Sequence, residues 1–420
     1  MKIINKPVLK QSKEVDRLPT IDFMRHVSMF FVFYCHFLIN WRADNWVAWI
    51  NLQWTFLDFL GITSFTGLSV LGNMLSYYKR REKGDTRLFT PGSWVRALCL
   101  FGIAVIMNLV PQGFMGPIAM LAGNVLTIIA IFSLLTPLVL RLNWKLRTVL
   151  LAVLLIVYYP LLTWAWGGLV DAGITSLHIL PNHISDPRVF VYYVLFDHRM
   201  QAPLLTWLPI VLLVSIVFDR FVKTQDKVPK ARLSKELNRI CLIGIIIVVA
   251  SIIVGSTIFP PSKGYVPEEL ENMTNPGFIW HWPVDWLPIY LVRNALNMVV
   301  YNFGLFCITF WFFGQIQLVR GKRFPAQEKL MNFGKLSLTG FLLSHIPYVY
   351  QLQMPFWLFY LIYIPLYIFI VEAFWLWTTR LKGVGTIEWG ILVASAMVTK
   401  AVEHKSKTGK LRSTGTKTAL

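Results

Sequence analysis

Ten stretches of this 420-residue chain are apolar over lengths that suit a lipid bilayer, and the basic residues between them alternate in density. No other feature limits the fold as much. The stretches are 23–41, 55–78, 94–111, 117–140, 148–170, 203–219, 240–260, 287–319, 336–350 and 355–377. At about 1.5 Å rise per residue, a helix needs about 20 apolar residues to cross the hydrocarbon core. The overlong eighth stretch is expected to tilt or run past the bilayer, and the ninth is short. Lys and Arg number five before the first stretch and eight after the last. The second, fourth, sixth and eighth loops hold five, three, seven and five, while the odd loops hold one, none, two, one and none. Only Arg25, Arg96 and Arg293 fall within or at the ends of stretches. Cytoplasmic loops of membrane proteins carry the excess of basic residues. The pattern therefore predicts an all-α polytopic membrane protein with about ten transmembrane helices and both termini cytoplasmic.

Composition agrees. Only 15% of residues are charged and 55% are hydrophobic, whereas soluble chains carry roughly 25% charged residues. The loop distribution accounts for the formal charge of +19 without a nucleic-acid partner. Cys35, Cys99, Cys241 and Cys307 lie in the stretches without CxxC spacing, so neither structural disulfides nor a metal cage is expected. His178 and His183, five apart in a loop, have the wrong spacing for a helical metal pair. No soluble domain is expected. Residues 1–22 read as a cytoplasmic segment, 23–377 as the transmembrane domain and 378–420 as a basic cytoplasmic tail. Within the tail, 387–398 is either an interfacial helix or a turn buried against the bundle, and Lys400 onward reads as a disordered stretch that touches anionic lipid. The first stretch lacks a small-residue cleavage site and reads as a retained signal anchor in a multi-pass cell-membrane protein.

Ionisable residues within the stretches are the functional candidates, because each costs about 2.5 kcal/mol or more at mid-bilayer. Asp22 and Arg25 share a face at the cytoplasmic end of the first span, as a catalytic pair or as a helix-end ion pair. His36 lies about 21 Å farther along, in the outer half, as a general base or as a hydrogen-bonded interior histidine. His345, preceded by Ser344, poses the same choice in the ninth span. Asp58 opens the second span from outside. Arg96 sits behind the cluster Lys79, Arg80, Arg81, Lys83 and Arg87, which suits a phosphorylated ligand such as a nucleotide or coenzyme A, or serves topology alone. Glu372 and Arg293 pair with each other or with backbone, and Asp197-His198 in an outer loop binds a polar acceptor or forms a solvated turn. P-loop, GxSxG, HExxH and dinucleotide motifs do not occur.

Several of these residues resemble a known set. Asp22-x-x-Arg25 followed by His36 is similar to the opening of the acyltransferase-3 and heparan-α-glucosaminide N-acetyltransferase-like superfamily. Asp58-Phe59-Leu60 with Ser64 to Ser69, Arg96 through Gly102 to Asn108, and Gly123-Asn124-Val125-Leu126 resemble its second, third and fourth helices. Gly334-Lys335-Leu336-Ser337-Leu338 through Ser344-His345 resembles a late helix, and Lys382-Gly383 through Ile387-Glu388-Trp389 a C-terminal "GPLEW" signature. Two departures stand out: His26 follows Arg25 where members read Gly, and Thr386 replaces the signature's Pro.

The resemblance implies transfer of an acyl group, most simply acetyl, from cytoplasmic acyl-CoA to a hydroxyl or amine of an envelope glycan or lipid-linked acceptor. His36 would lead the chemistry as a base or by transient acylation, with Asp22 and Arg25 shaping the site and His345 near the reaction centre. Arg25, Arg80, Arg81 and Arg96 would hold the donor's phosphates, while Asp58, Asp197 and His198 would face the acceptor. The alternative is a transporter or flippase for a glycan or lipid, against which the absence of a visible internal repeat speaks.

Overall fold

The computed structural model describes residues 18–41, 57–109, 124–172, 186–196, 203–258, 296–350 and 352–415. Every regular element among them is helical. In chain order they are α1 (Pro19–Trp41), a 3₁₀ turn (Asp58–Leu60) leading into α2 (Ile62–Glu82), α3 (Pro91–Leu109), α4 (Val125–Arg141) and α5 (Trp144–Asp171). Next come α6 (Pro187–Leu195), α7 (Leu204–Trp207), α8 (Pro209–Val217), α9 (Asp219–Thr224) and α10 (Lys230–Ile258). The chain closes with α11 (Leu296–Gly314), which runs into a π-turn (Gln315–Val319), then α12 (Gln327–Lys335), α13 (Ser337–Leu343), α14 (Ile346–Val349), α15 (Phe356–Arg380) and α16 (Ile387–Gly415).

Six helical stretches among the described residues are long and apolar enough to cross a membrane: those containing α2, α3, α5, α10, α11 and α15. α1 is 23 residues long but carries Asp22, Arg25, His26 and His36, while α4 and the run from Leu204 to Val217 are shorter apolar helices. Two expected spans are broken. The 203–219 stretch divides into α7, α8 and α9, with Pro209 in the first turn of α8. The 336–350 stretch divides into α13 and α14, with Pro347 in the first turn of α14. Proline has no N–H to give an i−4 carbonyl and crowds that carbonyl, which weakens the helix at Pro209 and Pro347, although α4, α5 and α15 run on through Pro137, Pro160 and Pro365. The apolar run expected to end at Val398 belongs to a helix that continues to Gly415, through the first part of the tail read as disordered.

α1 and α2 lie at the centre. α2 is 67% buried over its apolar window, whereas α5, though more hydropathic, is 11% buried. That contrast is what lipid as solvent produces, since an outer helix presents apolar side chains to the bilayer rather than to a core. Val149, Val153, Ile156 and Val157 of α5 are accordingly exposed. α10 and α11 cross closely because both carry glycine: a Cβ on Gly244 would lie 2.7 Å from the Gly304 carbonyl oxygen.

The basic loops gather at one end of the bundle. There Lys227 meets Glu82, Arg141 Nη2 reaches the Thr86 carbonyl at 3.5 Å, and the buried Arg147 meets Asp219 at 3.2 Å. At the opposite end the last turn of α1 is tied to the segment before α15, with Leu352 N donating to Asn40 O at 3.2 Å and Trp41 Nε1 to Tyr350 O at 2.8 Å. Glu372 has a partner that the sequence did not suggest. It pairs with Lys329 of α12 at 2.6 Å, because α12 packs beside α15, and Arg293 lies outside the described residues.

Candidate functional site

The break in the ninth stretch creates a polar site away from the basic end. The amide of Ser344 still bonds the Gly340 carbonyl at 2.9 Å, but that of His345 reaches only to Leu342, at 3.1 Å. The Phe341 carbonyl, which a continuous helix would have paired with His345 N, is left to side chains. Ser344 Oγ donates to it at 2.7 Å and His345 Nδ1 at 2.9 Å. Across from this turn, His36 Nδ1 lies 2.9 Å from Ser344 Oγ and 3.2 Å from the Ser344 carbonyl. The two imidazole rings are 4.6 Å apart at 71°, and Phe341 lies edge-on to both.

Hydrogen-bond logic assigns the tautomers. The Ser344 hydroxyl proton is committed to Phe341 O, and carbonyl oxygens only accept, so His36 carries its proton on Nδ1. The same holds for His345, whose Nδ1 faces a carbonyl. Each neutral ring then has its basic lone pair on Nε2. His36 is 6% exposed and Ser344 fully buried. Such an arrangement holds a base in one orientation before a substrate arrives.

Asp58, 4% exposed in the turn before α2, accepts from Asn302 Nδ2 of α11 at 3.2 Å. Asn302 was not singled out from sequence, although an amide in the middle of an apolar span was the available signal.

A second polar group collects about 21 Å away along α1, at the basic end. Arg25 Nη1 lies 3.5 Å from Asp22 Oδ1, while a Cβ on Gly72 of α2 would lie 3.1 Å from Arg25 Nη2. Gly334 of α12 packs directly on the backbone, so that a Cβ there would lie 2.0 Å from the Asp22 carbonyl oxygen. His26 packs edge-on to Phe333 and 6.0 Å from the ring of Tyr367. Among the described residues, Thr20 Oγ1, Asp22 Oδ2, His26 Nδ1, Ser28 Oγ and Tyr367 OH are buried and make no hydrogen bond. Of these residues, the sequence reading had singled out only Asp22 and His26.

Of the basic cluster, Arg81 bonds the Tyr77 hydroxyl through Nη2 at 3.2 Å and lies over its ring. Arg80 lies 3.9 Å from Asp85, and Arg96 is exposed on α3. Asp85 accepts from Arg87 Nε at 3.0 Å and Nη2 at 3.1 Å, and these bonds hold its carboxyl down at about 2. Asp197 and His198 lie outside the described residues. No group of three or more His, Cys, Asp or Glu able to hold a metal occurs among the described residues.

The family described as heparan-alpha-glucosaminide N-acetyltransferase, catalytic, matches residues 17–244, more than half of the chain. The chain belongs to this family. No curated protein and no solved structure matches it. The family is one of membrane transferases, and its matched region runs from α1 into α10, taking in Asp22, Arg25, His36, Asp58 and the basic cluster. Ser344 and His345 lie beyond it, so the His36 site of this family member joins a histidine inside the matched region to a turn outside it. Asn124 and Asn108, both inside, hold α3 to α4: Asn124 Nδ2 donates to Asn108 Oδ1 at 2.7 Å, and Asn124 Oδ1 caps α4 by accepting from Thr127 N at 2.9 Å.

Proposed function

We propose that the protein is an integral-membrane acyltransferase of about ten spans, with both termini cytoplasmic, in the cell membrane. It moves an acyl group, in the simplest case acetyl, from acyl-CoA at the basic end to a hydroxyl or amine of an envelope glycan or lipid-linked acceptor at the other. The observation that carries this reading is the bond between His36 Nδ1 and Ser344 Oγ, because it leaves the lone pair of a buried imidazole on Nε2.

The chemistry asked of the chain is modest. His36 Nε2 takes the proton of the acceptor O–H or N–H as the acceptor oxygen or nitrogen bonds to the thioester carbonyl carbon. The C–S bond then breaks, and the imidazolium returns the proton to the departing thiolate. His345, held 4.6 Å away on the same carbonyl as Ser344, lines the reaction centre. General-base catalysis of this kind contributes typically about 10² to 10⁴-fold.

At the basic end, Arg25, Arg80, Arg81 and Arg96 are assigned to the donor's phosphates, which guanidinium forks suit. The polar atoms of Thr20, Asp22, His26, Ser28 and Tyr367 support entry of the donor there, since buried polar groups are ordinarily hydrogen-bonded and a pantetheine arm brings amides that donate and accept. Asp58 is assigned to the acceptor, as are Asp197 and His198.

The test is a mass comparison of envelope lipids and glycans from cells with and without the protein. A species heavier by one acyl unit, present only with the protein, is expected. Identical profiles, with the protein folded in the membrane, contradict the reading.

A further inference from the structure

α13 carries the turn on which Ser344 and His345 sit, yet it is a poor helix by itself. It has seven residues, and its N-cap position is Leu336, which has no side-chain oxygen to give. Isolated helices that short do not hold in water, and the first backbone N–H groups of any helix need acceptors. Those acceptors come from a different helix. Glu388, in the first turn of α16, takes the amides of Leu338 at 2.6 Å and Thr339 at 3.1 Å on one carboxylate oxygen, and the Thr339 hydroxyl at 2.5 Å on the other. Thr339 Oγ1 in return accepts from Ile387 N at 3.1 Å.

The chain is shaped to deliver that carboxylate. Between α15 and α16 it reverses through Lys382, Gly383 and Gly385, at φ of 51°, 70° and 84°. Glycine adopts the last two without a Cβ penalty. Thr386 Oγ1 then caps α16, accepting from Trp389 N at 3.2 Å. Thr386 stands where the resembling signature has Pro, and it starts the helix by hydrogen bonding instead of by a fixed φ.

We infer that Glu388 is a positioning residue: by capping α13 from α16, it sets where the Phe341 carbonyl, Ser344 and His345 stand against His36. It touches no substrate and acts through one short helix. The inference rests on the proposed acyltransferase reading for its catalytic consequence but not for its structural one.

The experiment uses the full-length protein in lipid nanodiscs, with Glu388→Ala, Glu388→Gln and Thr339→Val. Backbone amide exchange is read by mass spectrometry, and transfer from labelled acetyl-CoA into a membrane extract is read as kcat and KM. Glu388→Ala is expected to speed exchange in residues 338–345 about fivefold, the size of a lost helix cap, with α2 unchanged. Its kcat is expected to fall about 100-fold, as for a displaced reacting group, with KM for acetyl-CoA unchanged. Glu388→Gln, which keeps a carbonyl oxygen for the two amides, restores part of both losses. Thr339→Val, which leaves the amides capped, gives a smaller change in each. Unchanged exchange in 338–345 overturns the inference. So does faster exchange spread evenly over all helices, or a kcat within twofold of wild type. A wild-type protein that transfers no label counts against the proposed function, and the exchange measurement still decides the cap.

Discussion

α1 carries two polar sites, and they are built in opposite ways. In the half away from the basic end His36 meets Ser344 and His345, and the bonds among their side chains and the Phe341 carbonyl fix the donor and acceptor roles. At its basic end Asp22 and His26 each keep a buried polar atom that makes no hydrogen bond, as do Thr20 and Ser28 beside them, among the described residues. A base that must take a proton from one direction gains from being locked before substrate arrives. On the proposed reading, the basic end accepts a long, polar donor arm, and unsatisfied donors and acceptors favour whatever group supplies their bonds. The difference teaches that one helix can hold a fully bonded polar cluster and an unsatisfied one, provided different neighbours flank each. The turn after α13 flanks the first; α2, α12 and α15 flank the second.

The contrast is sharpened most by His36→Ala. Transfer is expected to fall by about 10² to 10⁴-fold in a steady-state assay, while donor binding, measured by acetyl-CoA titration, stays near wild type. Loss of donor binding in that variant would merge the two sites. The next effect belongs to the basic end. Gly334→Ala would set a Cβ 2.0 Å from the Asp22 carbonyl oxygen, and backbone must shift to relieve it. Thermal unfolding in detergent should show a loss of about 1–3 kcal/mol, with poorer donor binding and no change in the hydrogen bonds around His36. An unaltered melting temperature would mean that α12 does not seal the entrance.

The smallest effect concerns Asp85, in the loop beside Arg80 and Arg81. Arg87 holds its folded pKa at about 2, below the usual 3.8. A depressed carboxyl stabilises the folded state above its unfolded pKa and loses that contribution as pH falls through the folded one. The wild type should therefore exceed Arg87→Ala in stability at pH 5, by less than about 1 kcal/mol because the pair is exposed. The gap should close between pH 4 and 2. A gap independent of pH would show that Arg87 acts by packing.

Much of the frame was legible in the sequence, because apolar length and loop charge report directly on solvation by lipid. His36, Asp22, Arg25 and His345 were legible because an ionisable group in an apolar run has an evident cost. What was not legible depended on contacts distant in sequence. Pro347 announces a break, but only the folded chain brings the freed Phe341 carbonyl beside Ser344 and His36, 308 residues from Ser344 in the chain. Glu388 reads as part of a short signature, and its work as a cap appears only when α16 meets α13. The Lys329–Glu372 pair was not legible for the same reason, since nothing local says that Lys329 folds beside Glu372. Tyr367 is an unremarkable letter in an apolar helix until its burial is known, whereas Asn302, an amide within an apolar span, was legible in principle.

The central claim is that the acyl group enters at the basic end and leaves the donor beside His36. Sealed vesicles of known orientation, given labelled acetyl-CoA on one face at a time, test it directly. Label should reach the acceptor only when the donor meets the face bearing the basic loops, and His36→Ala vesicles should label at least about 100-fold more slowly. Equal labelling from both faces, or labelling at the wild-type rate in His36→Ala vesicles, would contradict the account.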